Sequence, residues 1–530
     1  MMKKLYYNGT VLTMDAPLYA EAVCTENGRI CGVGKTETLL SCCAGKETEK
    51  IDLAGRTLMP AFLDAHSHFS AVANAQLQAP LDEAYSFFDI EERIRTFISE
   101  NHVKPGEWVI AKGYDHNQLA EKKHPEAKIL DIASPENPLV IQHKSGHMGV
   151  FNTRALEMLG ITSETESPAG GLIEKTADGQ PTGYMEETAF VSNLQRTPMP
   201  DFSALLAAYE TAQRKYASYG ITTVQEGFLA EQLAPLYHGL LEKKRLWLDV
   251  VGYADAASGD ALLHEFPKAV KQYDRHFKLG GYKMFLDGSP QGRTAWMRTP
   301  YRDAPDYFGY GTLSDAKVRE FIRLACAQQM QILAHCNGDA AAGQYIDAVV
   351  ELERQKMDVA ALRPVIIHAQ LLGRDQLPRV RAAGLFPSFF VAHVYHWGDV
   401  HIENFGRARA DEISPAASAL GEGMQFTFHQ DAPVIEPDMI ETVWCAVNRK
   451  TKAGETLGAS ERISTLEAIR AVTRNAAYQY FEEDEKGSIR NGKRADFVIL
   501  DRDPLKTDPV KLREVRVLET IKDGNTIYKA

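Results

Sequence analysis

The fold class this chain predicts is α/β: a TIM (β/α)8 barrel, with a small β-sandwich formed by both termini and an α+β insertion after barrel strand 1. Three observations predict it. Eight short apolar runs, several separated by helical stretches, occupy the middle of the chain. Both ends carry short strand-like segments broken by Asn-Gly and Asp-Gly turns. Several of the eight runs close on a histidine or an aspartate, at the strand ends where barrels build their sites.

The first 56 residues read as short strands. Leu5-Tyr6-Tyr7 meets a tight turn at Asn8-Gly9, and Asn27-Gly28 joins Ala22–Cys24 to Arg29–Val33 as a hairpin. The last segment is similar, with strands at 495–500 and 515–521 and a turn at Asp523-Gly524-Asn525. Residues 1–56 and 484–530 are therefore expected to share one β-sandwich, and 57–483 to form the barrel domain. Its strands are expected at 57–65, 221–226, 247–253, 281–286, 331–335, 364–368, 385–391 and 424–429. Helices at 203–218 and 314–330 separate some of them, and Ser464-Thr465-Leu466-Glu467 opens another through a capping box. The gap after the first strand is too long for one helix. An insertion of about 75–200, with a hairpin turning on Asp178-Gly179, is expected to cover the active-site face.

Composition narrows the function. The chain has 530 residues, a net charge of −12 and 44% hydrophobic residues. An acidic chain without a basic stripe argues against nucleic acid. No apolar run reaches about 18 residues, so no membrane partner is expected. Two lysines at the start have no apolar stretch behind them, so no signal peptide is expected. Seven cysteines, without a Cys-x-x-Cys pair, fit a reducing cytoplasm rather than a disulfide framework. Cys336 is expected in the packed core.

The chemistry lies at the strand ends. Residues i and i+2 of a strand point to one face, so His66 and His68 aim two imidazoles at one point. Lys283 stands in an otherwise apolar fourth strand, His335 and His368 end the fifth and sixth, and Asp431 follows the eighth. Any one of these alone reads as an ordinary polar or turn residue. Together, at successive strand ends, they read as a metal site. Imidazole and carboxylate suit zinc first, and also Mn, Fe, Co and Ni. A bound metal would activate water near neutral pH, and Asp431 is the natural group to take and return its proton.

These residues resemble the metal-dependent amidohydrolase superfamily, and more narrowly the family 3 branch that includes N-substituted formamide deformylase. The resemblance runs over essentially the whole chain. It is carried by Leu58–His68, Gly146-His147 with Asn152–Leu156, Gly170–Glu174, Gly220–Glu226, Lys283 with Asp287-Gly288, and Gly487–Asp496. It implies one or two divalent ions, zinc being the first choice by ligand type, at the mouth of the barrel. His66, His68 and Asp431 would bind one ion, His335 and His368 a second, and Lys283, as an N-carboxylated lysine, would bridge them. His147, Arg293, His396 and His429 are the candidate substrate contacts. His429-Gln430 departs from the small residue the family often places before the aspartate, so His429 is also open as a partner behind a ligand or as a pocket wall.

The expected activity is hydrolysis of a non-peptide amide or N-formyl C–N bond in a small molecule by metal-activated water. A deaminase on the same scaffold is the alternative. It usually needs a glutamate close to a strand-end histidine, and neither His335-Cys336-Asn337 nor His368-Ala369-Gln370 supplies one. A non-catalytic relative is a third reading, against which all six ligand-type residues stand. A homodimer is expected by resemblance, and Trp296 and Tyr282 are expected near the pocket.

Overall fold

The computed structural model describes residues 3–43, 48–144, 146–198 and 201–530; Met1, Met2 and the side chains of Cys42 and Cys43 lie outside the described residues. Two compact units emerge, one of residues 1–70 and 212–530, the other of residues 71–211.

In the first unit, eight parallel strands lie side by side in sequence order. They are β1 (Phe62–Leu63), β2 (Ile221–Leu229), β3 (Asp249–Asp255), β4 (Phe277–Phe285), β5 (Gln331–Cys336), β6 (Val365–His368), β7 (Phe386–Phe389) and β8 (Thr427–Phe428). Backbone hydrogen bonds from His68 N to Ala432 O (2.8 Å) and from Asp431 N to His66 O (3.3 Å) join the two ends of the curled sheet. The fold is TIM-barrel-like. Runs such as Val365-Ile366-Ile367 are apolar on both faces because a parallel barrel strand is buried on both. Inside, Leu63, Val251, Leu333, Val365 and Ile367 pack with Ala476, Ala477 and Tyr480 from the segment after β8.

Three sequence expectations need correction. The run 57–65 is not one barrel strand. Thr57–Pro60 pairs with Thr10-Val11 and, antiparallel, with Phe497–Leu500, and only Phe62–Leu63 joins the barrel. An apolar run looks the same in either sheet, and the change occurs where Ala61 N bonds to Asp496 O (3.0 Å). Second, β4 begins at Phe277 rather than 281. Gly280 reads as a break but occupies a bulge, where the register with β3 slips between Leu279 and Gly281. Third, Asn8-Gly9 closes no hairpin. Lys3–Tyr7 pairs with Ala22–Glu26 and Thr48–Asp52, whereas Thr10–Leu12 belongs to another sheet, so the chain changes sheets at this corner.

The two terminal sheets have four and six strands, and the larger takes strands from both ends of the chain. Tyr6, Val23 and Ile30 of one pack on Leu58, Phe497, Ile499 and Ile521 of the other. The hairpin at Asn27-Gly28 forms, with φ of 55° and 76° suited to a type I′ turn. Ser464 caps its helix by accepting from Glu467 N (3.2 Å), but the Glu467 side chain goes to Arg470 and leaves the box half made.

The second unit has its own six-stranded sheet, in which Gly171–Lys175 and Pro181–Glu186 form the hairpin around Gly179. No described helix is long and apolar enough to cross a membrane. Cys24, Cys31, Cys326, Cys336 and Cys445 are free thiols, and Cys336 is buried.

Candidate metal centre

The carboxyl ends of the barrel strands bring His66, His68, Lys283, His335, His368 and Asp431 together. Asp431 Oδ1 lies 3.3 Å from His68 Nε2 and 3.5 Å from His66 Nε2. Lys283 Nζ is 3.2 Å from His66 Nε2. His368 Nε2 is 3.1 Å from His335 Nδ1 and 4.0 Å from Asp431 Oδ2.

Local backbone makes this convergence. His66 and His68 follow β1 past a bend at Ala65-His66, and their rings meet edge to face with centroids 5.2 Å apart. His368 and Asp431 adopt positive φ, 71° and 56°, conformations that cost a non-glycine residue on the order of 1 kcal/mol or more. Each turns the chain sharply at a strand end. Gly227 leaves room for the His66 ring, since a Cβ there would come within 2.5 Å of it. On β4, Lys283 points inward and its neighbour Tyr282 outward, with its hydroxyl on Gln328. Tyr282 therefore does not line the mouth, contrary to expectation. Trp296 donates its backbone N–H to Asp287.

Burial and neighbouring charge keep the imidazoles of His66, His335 and His368 neutral. Burial, then the Lys283 charge, holds His66 well below its ordinary value and His335 at about 4. Burial, then neighbouring imidazoles, does the same to His368. Neutral rings offer lone pairs, the form that ligates metal. Burial brings the Lys283 amine down to about 7. Burial pushes Asp431 up, but His68, His429 and Lys283 outweigh it and hold the carboxyl below its usual range.

The donor set fits a divalent cation. Asp431 Oδ1 is buried and closes no hydrogen bond of normal geometry among the described residues. Such an orphaned carboxylate oxygen, facing two imidazole nitrogens, is costly without a further partner. His66, His368 and Asp431 also place ligand atoms within 4.8 Å of one another.

Around these groups stand further residues, some of which sequence reasoning missed. His429 was expected either at the substrate, as a pocket wall, or behind a metal ligand. It is fully buried, with Nε2 3.1 Å from His368 Nδ1 and Nδ1 2.9 Å from Ser388 Oγ. Gln225 Oε1 sits 2.5 Å from His66 Nδ1. Asp287 accepts backbone N–H groups of Trp296, Asn337 and Gly338 at 2.7–3.0 Å and lies 3.6 Å from His335 Nε2. The signal for these was their place directly beside the strand-end motifs.

The remaining candidates scatter. Arg293, in the loop after β4, has its guanidinium carbon 5.2 Å from the Tyr301 ring centroid, and its Nε is buried without a partner among the described residues. His396 gives Nε2 to Glu441 at 2.8 Å. His147 lies in the 71–211 unit, exposed, with Nδ1 3.2 Å from Glu187.

A family model described as the amidohydrolase family matches residues 49–528. The chain belongs to the amidohydrolase family. It is 28% identical to the N-substituted formamide deformylase of Arthrobacter pascens over 552 residues, covering 100% of this chain and 99% of the other. It is also 28% identical over 550 residues, 100% of each chain, to YtcJ of Bacillus subtilis (strain 168), a protein named as an amidohydrolase. Among solved structures, an uncharacterized metal-dependent hydrolase from Pyrococcus furiosus superposes with a TM-score of 0.76 at 25% identity, covering 95% of this chain and 100% of that one. This amidohydrolase is thus a metal-dependent hydrolase of carbon–nitrogen bonds, with a divalent metal as cofactor and a small molecule as substrate.

Proposed function

We propose that this amidohydrolase cleaves a non-peptide amide or N-formyl bond and releases an amine. The observation that carries the reading is Asp431, whose Oδ1 closes no hydrogen bond of normal geometry among the described residues and faces His66 and His68 at the barrel mouth. The name of the A. pascens relative, with which it aligns end to end, supports the N-formyl class.

His66, His68 and Asp431 would hold one ion, His335 and His368 a second, and Lys283 would bridge them as its carbamate. Zinc suits these donors best. Bound there, a divalent cation supplies Lewis acidity, bringing water's ionisation toward neutral pH and offsetting negative charge on a carbonyl oxygen. Lys283 supports the carbamate because a buried amine held near pH 7 is substantially neutral, the form that adds to carbon dioxide.

The protein's own groups then move the protons. Asp431 takes one from the attacking water as oxygen bonds to the carbonyl carbon, and returns it to the nitrogen as the C–N bond breaks. Gln225 orients His66, and Ser388 orients His429, which in turn orients His368. Arg293, whose Nε has no hydrogen-bond partner among the described residues, is the strongest of the candidate substrate contacts, ahead of His396 and His147. The free thiols of the five described cysteines support a reducing compartment, the cytoplasm, as the place where the enzyme works.

Metal analysis of purified protein, joined to a screen of N-formyl and N-acyl amines, tests the reading. Release of amine with formate or a carboxylate is the expected result. Release of ammonia instead assigns a deaminase, and protein that takes up no divalent metal refutes both.

A further inference from the structure

A second convergence of metal-type donors lies in the 71–211 unit. Its sheet contains two parallel neighbours, Val109–Tyr114 and Leu139–His143, with Tyr114 opposite His143. Parallel strands bring their carboxyl ends to the same edge. Asp115 and His116 follow the first strand, and His143 ends the second.

The donor atoms are close. His116 Nδ1 is 3.2 Å from His143 Nε2. Asp115 Oδ1 is 3.5 Å from His143 Nε2 and 3.9 Å from His116 Nδ1. Bonds of about 2.0–2.1 Å in a tetrahedral site separate neighbouring ligand atoms by about 3.3 Å. The three atoms therefore already stand near the edge lengths of one coordination face.

Two imidazole nitrogens facing each other can share one proton. The carboxylate then stays farther from both than the roughly 2.7–2.9 Å of a charge-assisted hydrogen bond. One cation satisfies all three atoms at once. The supports are in place: Asn117 N donates to Asp115 Oδ1 at 2.9 Å, and the His116 ring lies 4.1 Å from that of His124. His124 in turn stacks on Tyr184 and bonds to the Tyr114 hydroxyl at 3.0 Å.

We propose that Asp115, His116 and His143 form an additional divalent-metal site of the zinc type, with water completing its sphere. Two imidazoles and one carboxylate favour zinc, cobalt or nickel over calcium or magnesium, which take oxygen ligands. None of its residues belongs to the barrel donor set, so the proposal stands apart from the hydrolytic reading.

Two measurements on the full chain test it. In crystals of zinc-loaded protein, an anomalous difference peak within bonding distance of these three side chains is expected. A peak at the barrel mouth alone overturns the proposal. In solution, the zinc-to-protein ratio of the H116Q/H143Q variant is expected to fall by one ion relative to wild type. The number of ions in the barrel cancels in that difference, and an unchanged ratio overturns the proposal. Should that variant fail to fold, the anomalous map of the wild-type protein decides.

Discussion

Two buried polar clusters stand at opposite ends of the same barrel strands, and they are built on different principles. At the amino ends of β3 and β4, Asp249 pairs with Lys486 at 2.6 Å and Lys522 at 2.9 Å. Glu482 pairs with Lys486 at 2.7 Å and closely with Lys278, and Asp496 with Lys522 at 2.9 Å. Three ammonium groups thus meet three carboxylates. At the carboxyl ends of the strands, neutral imidazoles face one another, and the Asp431 oxygen stands 3.3 and 3.5 Å from the imidazoles of His68 and His66, farther than any of the floor's ion pairs named above. The floor spends its charges on itself. The mouth keeps lone pairs unspent, which is what a ligand site requires.

Asp431→Asn breaks the mouth and is expected to have the largest effect. It keeps an oxygen donor but removes the proton carrier. Turnover should fall by about 10²–10⁴-fold while bound metal stays at the wild-type ratio. A metal-loaded variant that turns over at the wild-type rate would remove Asp431 from the chemistry.

Glu482→Gln breaks the floor instead. It leaves Lys278 and Lys486 without one of their counter-charges, and removing one partner of a buried pair costs about 3–5 kcal/mol. The expected readout is a lower urea midpoint with an unchanged metal ratio. The effect has a pH signature. The two lysines overcome the burial penalty and hold Glu482 at about 2, below its ordinary 4.5. Its stabilisation is therefore fully present above pH 4.5 and is lost as pH falls toward 2. The gap between wild type and variant should be constant from pH 8 to pH 5 and close at lower pH. A gap that persists undiminished at pH 3 would mean that packing, not charge, is what the floor supplies.

The two clusters also differ in how far the sequence discloses them. The mouth was legible because parallel topology puts every strand's carboxyl end on one face, so polar residues closing apolar runs could be assembled without coordinates. His66, His68, His335 and His368 all have that form. The floor was not legible. Lys278, Glu482, Lys486 and Lys522 each look like a surface charge, and the bulge at Gly280 hid the first turn of β4. Thr57–Pro60 was misplaced because apolar patterning reports burial and not which sheet does the burying. His429 was recognised as unusual and left open between the substrate and a place behind a ligand, since a strand position fixes the face and not the partner.

Ser388 offers the finest test of the contrast, because it lies at the mouth yet sits two steps from the candidate ligands' unspent nitrogens. Its hydroxyl meets His429 Nδ1 at 2.9 Å, and His429 Nε2 meets His368 Nδ1 at 3.1 Å. The chain of contacts fixes which His368 nitrogen faces Asp431. Ser388→Ala removes one hydroxyl from a buried site and should lower metal affinity by about tenfold, the lower range for loss of a partner behind a ligand. Ser388→Thr, which keeps the hydroxyl, should restore it. A merely structural serine would change the melting temperature and leave metal affinity untouched. That outcome would show that His368 is held by packing alone, and would make the mouth more like the floor than its open lone pairs imply.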